Sequence, residues 1–193
     1  MRASSKAAQL IAAFRSRKVT QREAAIPALA ALKSPPLETL RLLAEKSTQT
    51  VERRCAFAVL VQLRDRSVKK LAPKALHDPN MSVRLVAMRA IVDLGGPNAV
   101  TLLFPLLKDA SGGVRVQCVM HLSNLRDKRA VPGLLKVLRD PRWYVRQAAA
   151  ESLGRIGDPR ASSGLRRAAK DKRACVANSA CNALRQLEAA SAK

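Results

Sequence analysis

Residues 140–165 read DPRWYVRQAAAESLGRIGDPRASSGL. From Val145 onward, small or aliphatic residues recur at intervals of four, four and three, which places them on one face of an α-helix. Gly157 then precedes an Asp-Pro pair and a second amphipathic segment. Glycine suits the end of a helix, and proline suits the first helical position because its missing N–H is not needed there. The stretch therefore predicts two short helices joined by tight turns.

The same pattern recurs every 31 residues along most of the chain. Val-Arg pairs begin at positions 83, 114 and 145, and an aspartate stands five residues before each pair. One further step reaches Val176, where Ala177 replaces the arginine, and one step back reaches Glu52-Arg53. Because a single helix pair cannot bury its apolar stripe alone, the pairs must stack on one another.

The quoted stretch resembles a known repeat family. Its pattern, D-x4-V-R-x2-A-x3-L-x2-I-G-D-P-x-A-x3-L, is similar to the short HEAT-like repeat, also called the phycobilisome-lyase-type HEAT repeat. The resemblance extends over about residues 20–190 and is strongest in 78–171. It implies a scaffold rather than a defined activity, since this superfamily serves many partners.

Together, repeat and resemblance predict an all-α, right-handed α-solenoid of about six HEAT-like helix pairs with a 31-residue period. We expect one repeat domain over 1–193. It comprises an irregular N-terminal capping unit at 1–33, regular repeats at 34–170 and a C-terminal capping helix at 171–193.

The formal net charge of +22 narrows the choice of partner. The chain has 36 Lys and Arg against 14 Asp and Glu, so its surface attracts anionic macromolecules. The excess is +6 in residues 41–74 and +9 in residues 126–173, but only +1 in residues 75–125. Seven of the acids stand at turns, where capping of backbone N–H groups explains them. We therefore expect an acidic partner, with nucleic acid favoured over protein, and a monomer in its absence.

The candidate nucleic-acid-binding residues are cations on the two rims of the array and on the first helices of the pairs. They are Arg64, Arg66, Lys69, Lys70, Arg126, Lys128, Arg129, Arg142, Arg160, Lys172 and Arg173. The resemblance assigns Arg84, Arg115 and Arg146 to an internal ladder that bonds loop aspartates and carbonyls of neighbouring repeats. Trp143-Tyr144 either stacks a base beside Arg142 or packs on the adjacent repeat, as the resemblance implies.

A competing interpretation is a protein adaptor. The second helices of the middle repeats are apolar nearly all round, and their outward positions would line a concave groove suited to a partner helix. The candidate groove residues are Leu85, Met88, Val92, Val116, Val119 and Met120.

The sequence predicts no catalysis, metal or cofactor. P-loop, GxGxxG, GxSxG and HExxH motifs are absent. HEAT-like deoxyhypusine hydroxylases bind iron through His-Glu pairs, which neither His77 nor His121 matches. HEAT-like alkylpurine DNA glycosylases use a groove aspartate with aromatic residues. Asp93 and Glu151 are the candidates for that less favoured alternative, but no tryptophan stands at a matching site.

Cysteine usage and the N-terminus bear on location. The four cysteines form no CxxC pair and lie in apolar helical contexts, which favours reduced core residues in the cytoplasm. No apolar run reaches membrane-spanning length. Residues 1–18 are basic and free of acids; we interpret them as a first structural helix rather than a transit peptide.

Overall fold

The computed structural model describes the backbone of residues 2–94 and 98–191, and the side chains of residues 5–94 and 98–189. Within these ranges the chain consists of α-helices and short 3-10 turns without a β-strand, which confirms the all-α prediction. The chain forms two compact units, residues 1–94 and 95–193, each with three helix pairs. The boundaries of the predicted capping units stay a prediction.

The first unit pairs α1 with α2, α3 with α4, and α5 with α6. The bounds are Arg2–Ala12 for α1, Val19–Ala30 for α2, Leu37–Lys46 for α3, Thr50–Gln62 for α4, Val68–Ala75 for α5 and Met81–Leu94 for α6. The second helices α2, α4 and α6 pack side by side, and each first helix packs on the second helix of its own pair. This is the stacking that the unburied stripe of a single pair requires.

The second unit follows the same plan with shorter first helices. These are α7 (Ala99–Leu103, continued by a 3-10 turn at Phe104–Lys108), α9 (Val131–Val137) and α11 (Ser162–Ala168). The second helices are α8 (Gly112–Asn124), α10 (Trp143–Ile156) and α12 (Ala174–Ser191). Helix α10 packs between α8 and α12, so its two flanks are both covered.

The predicted stripe forms the core of each unit. Leu60, Leu122 and Leu153 share one repeat position, and all three are fully buried. The anchor position is also buried from the second repeat onward, as Val83 and Val145 show. Burying one such side chain stabilises the fold by about 1.5–3 kcal/mol, so the periodic stripe is the main source of stability.

Each of the seven acids predicted to stand at turns accepts a backbone hydrogen bond. Asp65, Asp78, Asp109, Asp127, Asp140, Asp158 and Asp171 each accept from the N–H two residues further on. The expectation that the proline of an Asp-Pro pair begins the helix is wrong at residues 140–141. Helix α10 begins at Trp143, so Pro141 lies in the turn and not at the first helical position. The turn closed by Asp140 and the N–H of Arg142 delays the helix start.

Candidate nucleic-acid interface

An arginine ladder runs through the second unit. Arg115 Nε and Nη2 donate to the Asp140 carboxylate over 2.6 and 2.8 Å, while Nη1 donates to the Asp109 carbonyl over 2.8 Å. Arg146 repeats the arrangement one step later, with Asp171 at 2.7 and 2.9 Å and the Asp140 carbonyl at 2.8 Å. Both arginines are buried, so the predicted structural role is confirmed for them.

The first unit contains a ladder member that sequence reasoning missed. Arg53 donates to the Asp78 carboxylate over 2.7 and 3.0 Å and to the Ser47 carbonyl over 2.8 Å. The 31-residue step from Arg84 pointed to Arg53, but Glu52 beside it replaces the usual valine and concealed the match. Arg84 itself donates to the Asp78 carbonyl over 2.8 Å, as predicted.

The first rung of this ladder is incomplete. Arg22 Nη1 donates to the Ser16 carbonyl, but its buried Nε has no hydrogen-bond partner among the described residues. The reason is that Ser47 occupies the place that Asp78 holds in the next repeat. The acid is instead Glu52, buried at the valine position, where it accepts from Arg15 and Ser47. Burial opposes ionisation, yet these donors outweigh it, and the pKa of Glu52 is lowered.

The ladder determines the charge of one edge of the second unit. We call turns 108–112, 139–143 and 170–174 the ladder edge. Arg115 and Arg146 neutralise Asp140 and Asp171 from beneath, and the cations outside remain exposed. These cations are Lys108, Arg139, Arg142, Lys170, Lys172 and Arg173, and none forms an ion pair with a described carboxylate. The edge therefore presents six exposed cations while Asp140 and Asp171 are already paired with buried arginines.

On the opposite edge of the second unit, arginines pair with aspartates of their own turns. We call turns 126–130 and 157–161 the linker edge. Arg129 pairs with Asp127 at 2.6 Å, and Arg160 pairs with Asp158 at 2.6 Å, each within its own turn. Two of the predicted phosphate-binding cations are thus already neutralised. Arg126 and Lys128 remain exposed without an ion pair in the described part of the unit.

The four candidate cations in the first unit are exposed, and the acid beside them pairs with another residue. Arg64, Arg66, Lys69 and Lys70 are exposed, and the neighbouring Asp65 is held by Arg41 of α3 over 2.7 and 3.2 Å. The hydrogen bond from Arg41 lowers the pKa of Asp65 to about 2. Ser67 stands here at the position of Arg129 and Arg160, so the turn has no arginine of its own to pair with its acid.

Two candidate arginines occupy a backbone conformation that favours glycine. Gly157 ends α10 with φ +73°, and Arg64 and Arg126 take the same repeat position with φ of 52° and 49°. A side chain in this left-handed region costs about 1 kcal/mol relative to glycine. The strain marks these arginines as candidates for a function beyond folding.

The aromatic pair lies on the ladder edge. Trp143 is 42% exposed and Tyr144 is 39% exposed, with ring centroids 5.8 Å apart in an edge-to-face arrangement. Tyr144 also packs on the neighbouring repeat, since a Cβ added to Gly112 would collide with its hydroxyl oxygen. Packing on the adjacent repeat thus accounts for Tyr144 in part, and the rest of the pair faces solvent.

The predicted apolar groove is wrong at two positions. Met88 and Val119 are fully buried, because α6 packs on α4 and α5 while α8 packs on α10. Leu85, Val92 and Val116 are half-buried, and only Met120, at 47%, is exposed. Each unit buries the apolar second helices within itself, so they do not offer six outward side chains to a partner.

The candidate catalytic acids are engaged with neighbours. Asp93 pairs with Arg89 on the surface of α6, and Glu151 accepts from Gln147 and Ser179 over 2.9 Å. Cys118 donates to the Leu103 carbonyl, and burial raises the pKa of its thiol. The described residues contain no group of three His, Cys, Asp or Glu side chains able to hold a metal ion.

The helices of the chain bear on whether it can cross a membrane. Within the described ranges, none combines the length and the apolar character needed to cross a membrane. The cytoplasmic location stays a prediction.

Comparisons with known proteins agree with this architecture. The HEAT repeats family model matches residues 100–185. No curated protein matches the chain. Human deoxyhypusine hydroxylase in complex with glycerol superposes with a TM-score of 0.59 at 24% identity, over 96% of this chain and 75% of that one. A designed armadillo repeat protein in complex with peptide (KR)4 gives 0.59 at 17% identity, over 93% and 98%. Designed armadillo repeat proteins for modular peptide recognition give 0.59 at 18%, over 92% and 98%.

Stacked helix pairs joined by an arginine-aspartate ladder define an α-helical repeat scaffold. Within that class, residues 100–185 match the HEAT repeats family, as the resemblance of residues 140–165 implied. The assignment of the chain to the phycobilisome-lyase type stays a prediction. At these identities the solved structures establish the fold alone.

Proposed function

We propose that this protein is a non-catalytic HEAT-like scaffold that docks on nucleic acid or a nucleoprotein through its exposed cations. The observation that carries the proposal is the pattern of ion pairs at the ladder edge. Buried arginines neutralise Asp140 and Asp171, and six surface cations follow successive turns without forming an ion pair with a described carboxylate. Phosphates spaced along a nucleic-acid strand are the natural complement of such a row.

The engaged state of Asp93 and Glu151 supports the non-catalytic part of the proposal. A glycosylase acid must be available to the reacting base, whereas Asp93 pairs with Arg89 and Glu151 accepts two hydrogen bonds. Base release from alkylated DNA that depends on either carboxylate would contradict this part.

A salt titration tests the docking proposal. Binding of fluorescein-labelled 20-base single strands and 20-base-pair duplexes is measured by anisotropy between 50 and 200 mM salt. Each phosphate neutralised contributes about −0.7 (single strand) or −0.9 (duplex) to the slope of log K against log salt. Absence of binding at 50 mM salt overturns the proposal.

The chain offers a matched pair of variants for the same assay. Arg142→Gln/Arg173→Gln and Arg129→Gln/Arg160→Gln each remove two charges from the second unit. We expect the first variant to weaken binding at least tenfold and to reduce the slope by about 1 to 2. The second should have a much smaller effect, since its arginines are paired within their own turns. Equal losses would show that net charge alone, and not the ladder edge, determines affinity.

A second candidate function is the binding of an acidic peptide on the first-helix face of the second unit. A cleft of about 590 Å³ lies between α9 and the 3-10 turn that continues α7. Its floor includes Phe104 and Gly133, and Lys108, Lys136 and Arg139 stand exposed around it. The designed neighbour above holds the basic peptide (KR)4. The opposite charge of this cleft favours an acidic segment with apolar anchors.

Two labelled 12-residue peptides test this candidate, one alternating Glu and Leu and the other alternating Glu and Gly. The first should bind more tightly if the apolar floor contributes. Lys136→Glu/Arg139→Glu should abolish the difference, and Arg126→Glu/Lys128→Glu on the linker edge is the matched control. Equal binding of both peptides by the unaltered protein contradicts the candidate.

A further inference from the structure

The only tryptophan and the only tyrosine of the chain stand side by side on the ladder edge. Neither is placed in the core, where large aromatic side chains bury most area. Tyr144 is held against Gly112, and Trp143 packs edge-to-face against it with 42% of its surface exposed. Trp143 thus presents a supported indole ring to solvent.

Cations of two adjacent turns lie on the same edge of the unit as this ring. Arg146 bonds the Asp140 carbonyl with one guanidinium nitrogen and the Asp171 carboxylate with the other two, so the two turns lie next to each other. Arg142 immediately precedes Trp143, and Lys172 and Arg173 belong to the adjoining turn. All three are exposed and form no ion pair with a described carboxylate.

We propose that the ladder edge of the second unit binds single-stranded nucleic acid, with a base stacked on Trp143 and the flanking phosphates on Arg142, Lys172 and Arg173. The inference rests on the docking function proposed above and specifies its substrate class. A duplex keeps the faces of its bases covered, whereas a single strand exposes them to an aromatic side chain. Cations alone attract both forms, so the supported indole is the feature that discriminates between them.

Because Trp143 is the only tryptophan, its fluorescence reports directly on this site. The full chain is titrated at 100 mM salt with unlabelled 15-base oligo(dA), 15-base oligo(rA) and a 15-base-pair duplex. We expect both single strands to quench the emission strongly and the duplex to quench it weakly. Strong quenching by oligo(dA) alone or oligo(rA) alone also supports a single-strand site and identifies the sugar preferred.

Variants separate stacking from charge. With labelled strands, Trp143→Ala should weaken single-strand binding about tenfold or more while leaving duplex affinity and the salt slope unchanged. Trp143→Phe should restore most of the loss. Met120→Ala is the matched control, since Met120 is an apolar side chain of similar exposure on α8 and lies away from the ladder-edge turns. Thermal unfolding of each variant verifies that the fold persists.

The outcomes distinguish this inference from the proposed function. Salt-dependent binding that is equal for single strand and duplex, and unaffected by Trp143→Ala, overturns the stacking inference but leaves docking intact. Quenching of the same size by polyglutamate also overturns it, because that polymer has charge but no bases. Failure of every nucleic acid to bind overturns the docking function itself.

Discussion

The two edges of the second unit use the same residue types with opposite results. On the ladder edge an arginine inside the unit reaches an aspartate 25 residues ahead, and both partners are largely buried, with about 10% of each side chain exposed. On the linker edge an arginine pairs with the aspartate two residues before it, and 62% of the Arg160 side chain is exposed. The ion pairs of the ladder edge join neighbouring repeats and leave the surface cations unpaired. Those of the linker edge each close a single turn and neutralise its surface arginine.

The largest effect is expected from breaking the ladder. Arg146→Met leaves the Asp171 carboxylate, only 12% exposed, without its bidentate partner and removes a donor from the Asp140 carbonyl. Loss of one partner from such a buried pair costs about 3–5 kcal/mol. Urea unfolding followed by circular dichroism measures the loss. A loss below about 1 kcal/mol would show that the ladder is not a main source of stability.

An intermediate effect is expected at Asp65, a turn acid of the first unit. Like the ladder acids, it accepts two hydrogen bonds from an arginine on another helix, Arg41 of α3. Its pKa of about 2 lies below the ordinary value near 4, so Asp65 stabilises the fold above pH 4. That stability is lost as the pH falls from 4 to 2, and its full size is about 2 kcal/mol. Arg41→Met should remove much of this stability at pH 7 and flatten the acid limb of the stability curve, because its hydrogen bond is the largest cause of the lowered pKa while the hydrogen bonds from Ser67 remain.

Glu38→Gln is the control for Arg41, since it removes only the exposed second partner of the same guanidinium. A change of less than about 0.5 kcal/mol is expected from it. If both variants lose equal stability, Asp65 is not the partner that matters.

Sequence reasoning was most successful where the 31-residue period applied. It identified the stripe of Val145, Ala149 and Leu153 and the seven turn acids, while the ladder roles of Arg115 and Arg146 came from the family resemblance. It missed Arg53 because Glu52 interrupts the motif beside it, and it missed Arg41 because that contact follows no repeat. It also placed Met88 and Val119 in an open groove, since an apolar helix surface does not reveal whether neighbouring helices or a partner will cover it.

The candidate site was harder to predict than the fold for a physical reason. The availability of a cation depends on which carboxylate lies within reach, and sequence spacing shows this only for local pairs. Even the local spacing is ambiguous, because Arg142 and Arg173 follow an aspartate by two residues just as Arg129 and Arg160 do, yet only Arg129 and Arg160 pair with it. Arg142, Lys172 and Arg173 were named from the sequence, but the absence of an ion pair at these described residues required the structure, because Arg115 and Arg146, which pair with Asp140 and Asp171, lie 25 residues earlier in the chain.

A smaller effect of opposite sign is expected at the strained arginine of the linker edge. Arg126→Gly should stabilise the fold by about 1 kcal/mol, since glycine adopts φ near 49° without steric conflict. The same change should weaken nucleic-acid binding by removing an unpaired cation. Thermal unfolding and strand anisotropy on one preparation measure both.

The reciprocal change sharpens that test. Gly157→Arg should destabilise by about 1 kcal/mol through the backbone alone, because nothing lies within 4 Å of a Cβ at that position. Stabilisation by Arg126→Gly without loss of binding would show that this strained arginine serves no docking role.

The smallest effect is expected where the linker edge is cut. Arg129→Met removes an ion pair whose arginine and aspartate side chains are 57% and 24% exposed, and Asp127 keeps its hydrogen bond from the N–H of residue 129. Exposed pairs contribute about 0–1 kcal/mol, so urea unfolding should change by less than that amount. A loss approaching that of Arg146→Met would refute the distinction between the two edges. A loss below about 1 kcal/mol would show that the Arg-Asp pair stabilises the stacking of repeats on the ladder edge but only closes a turn on the linker edge.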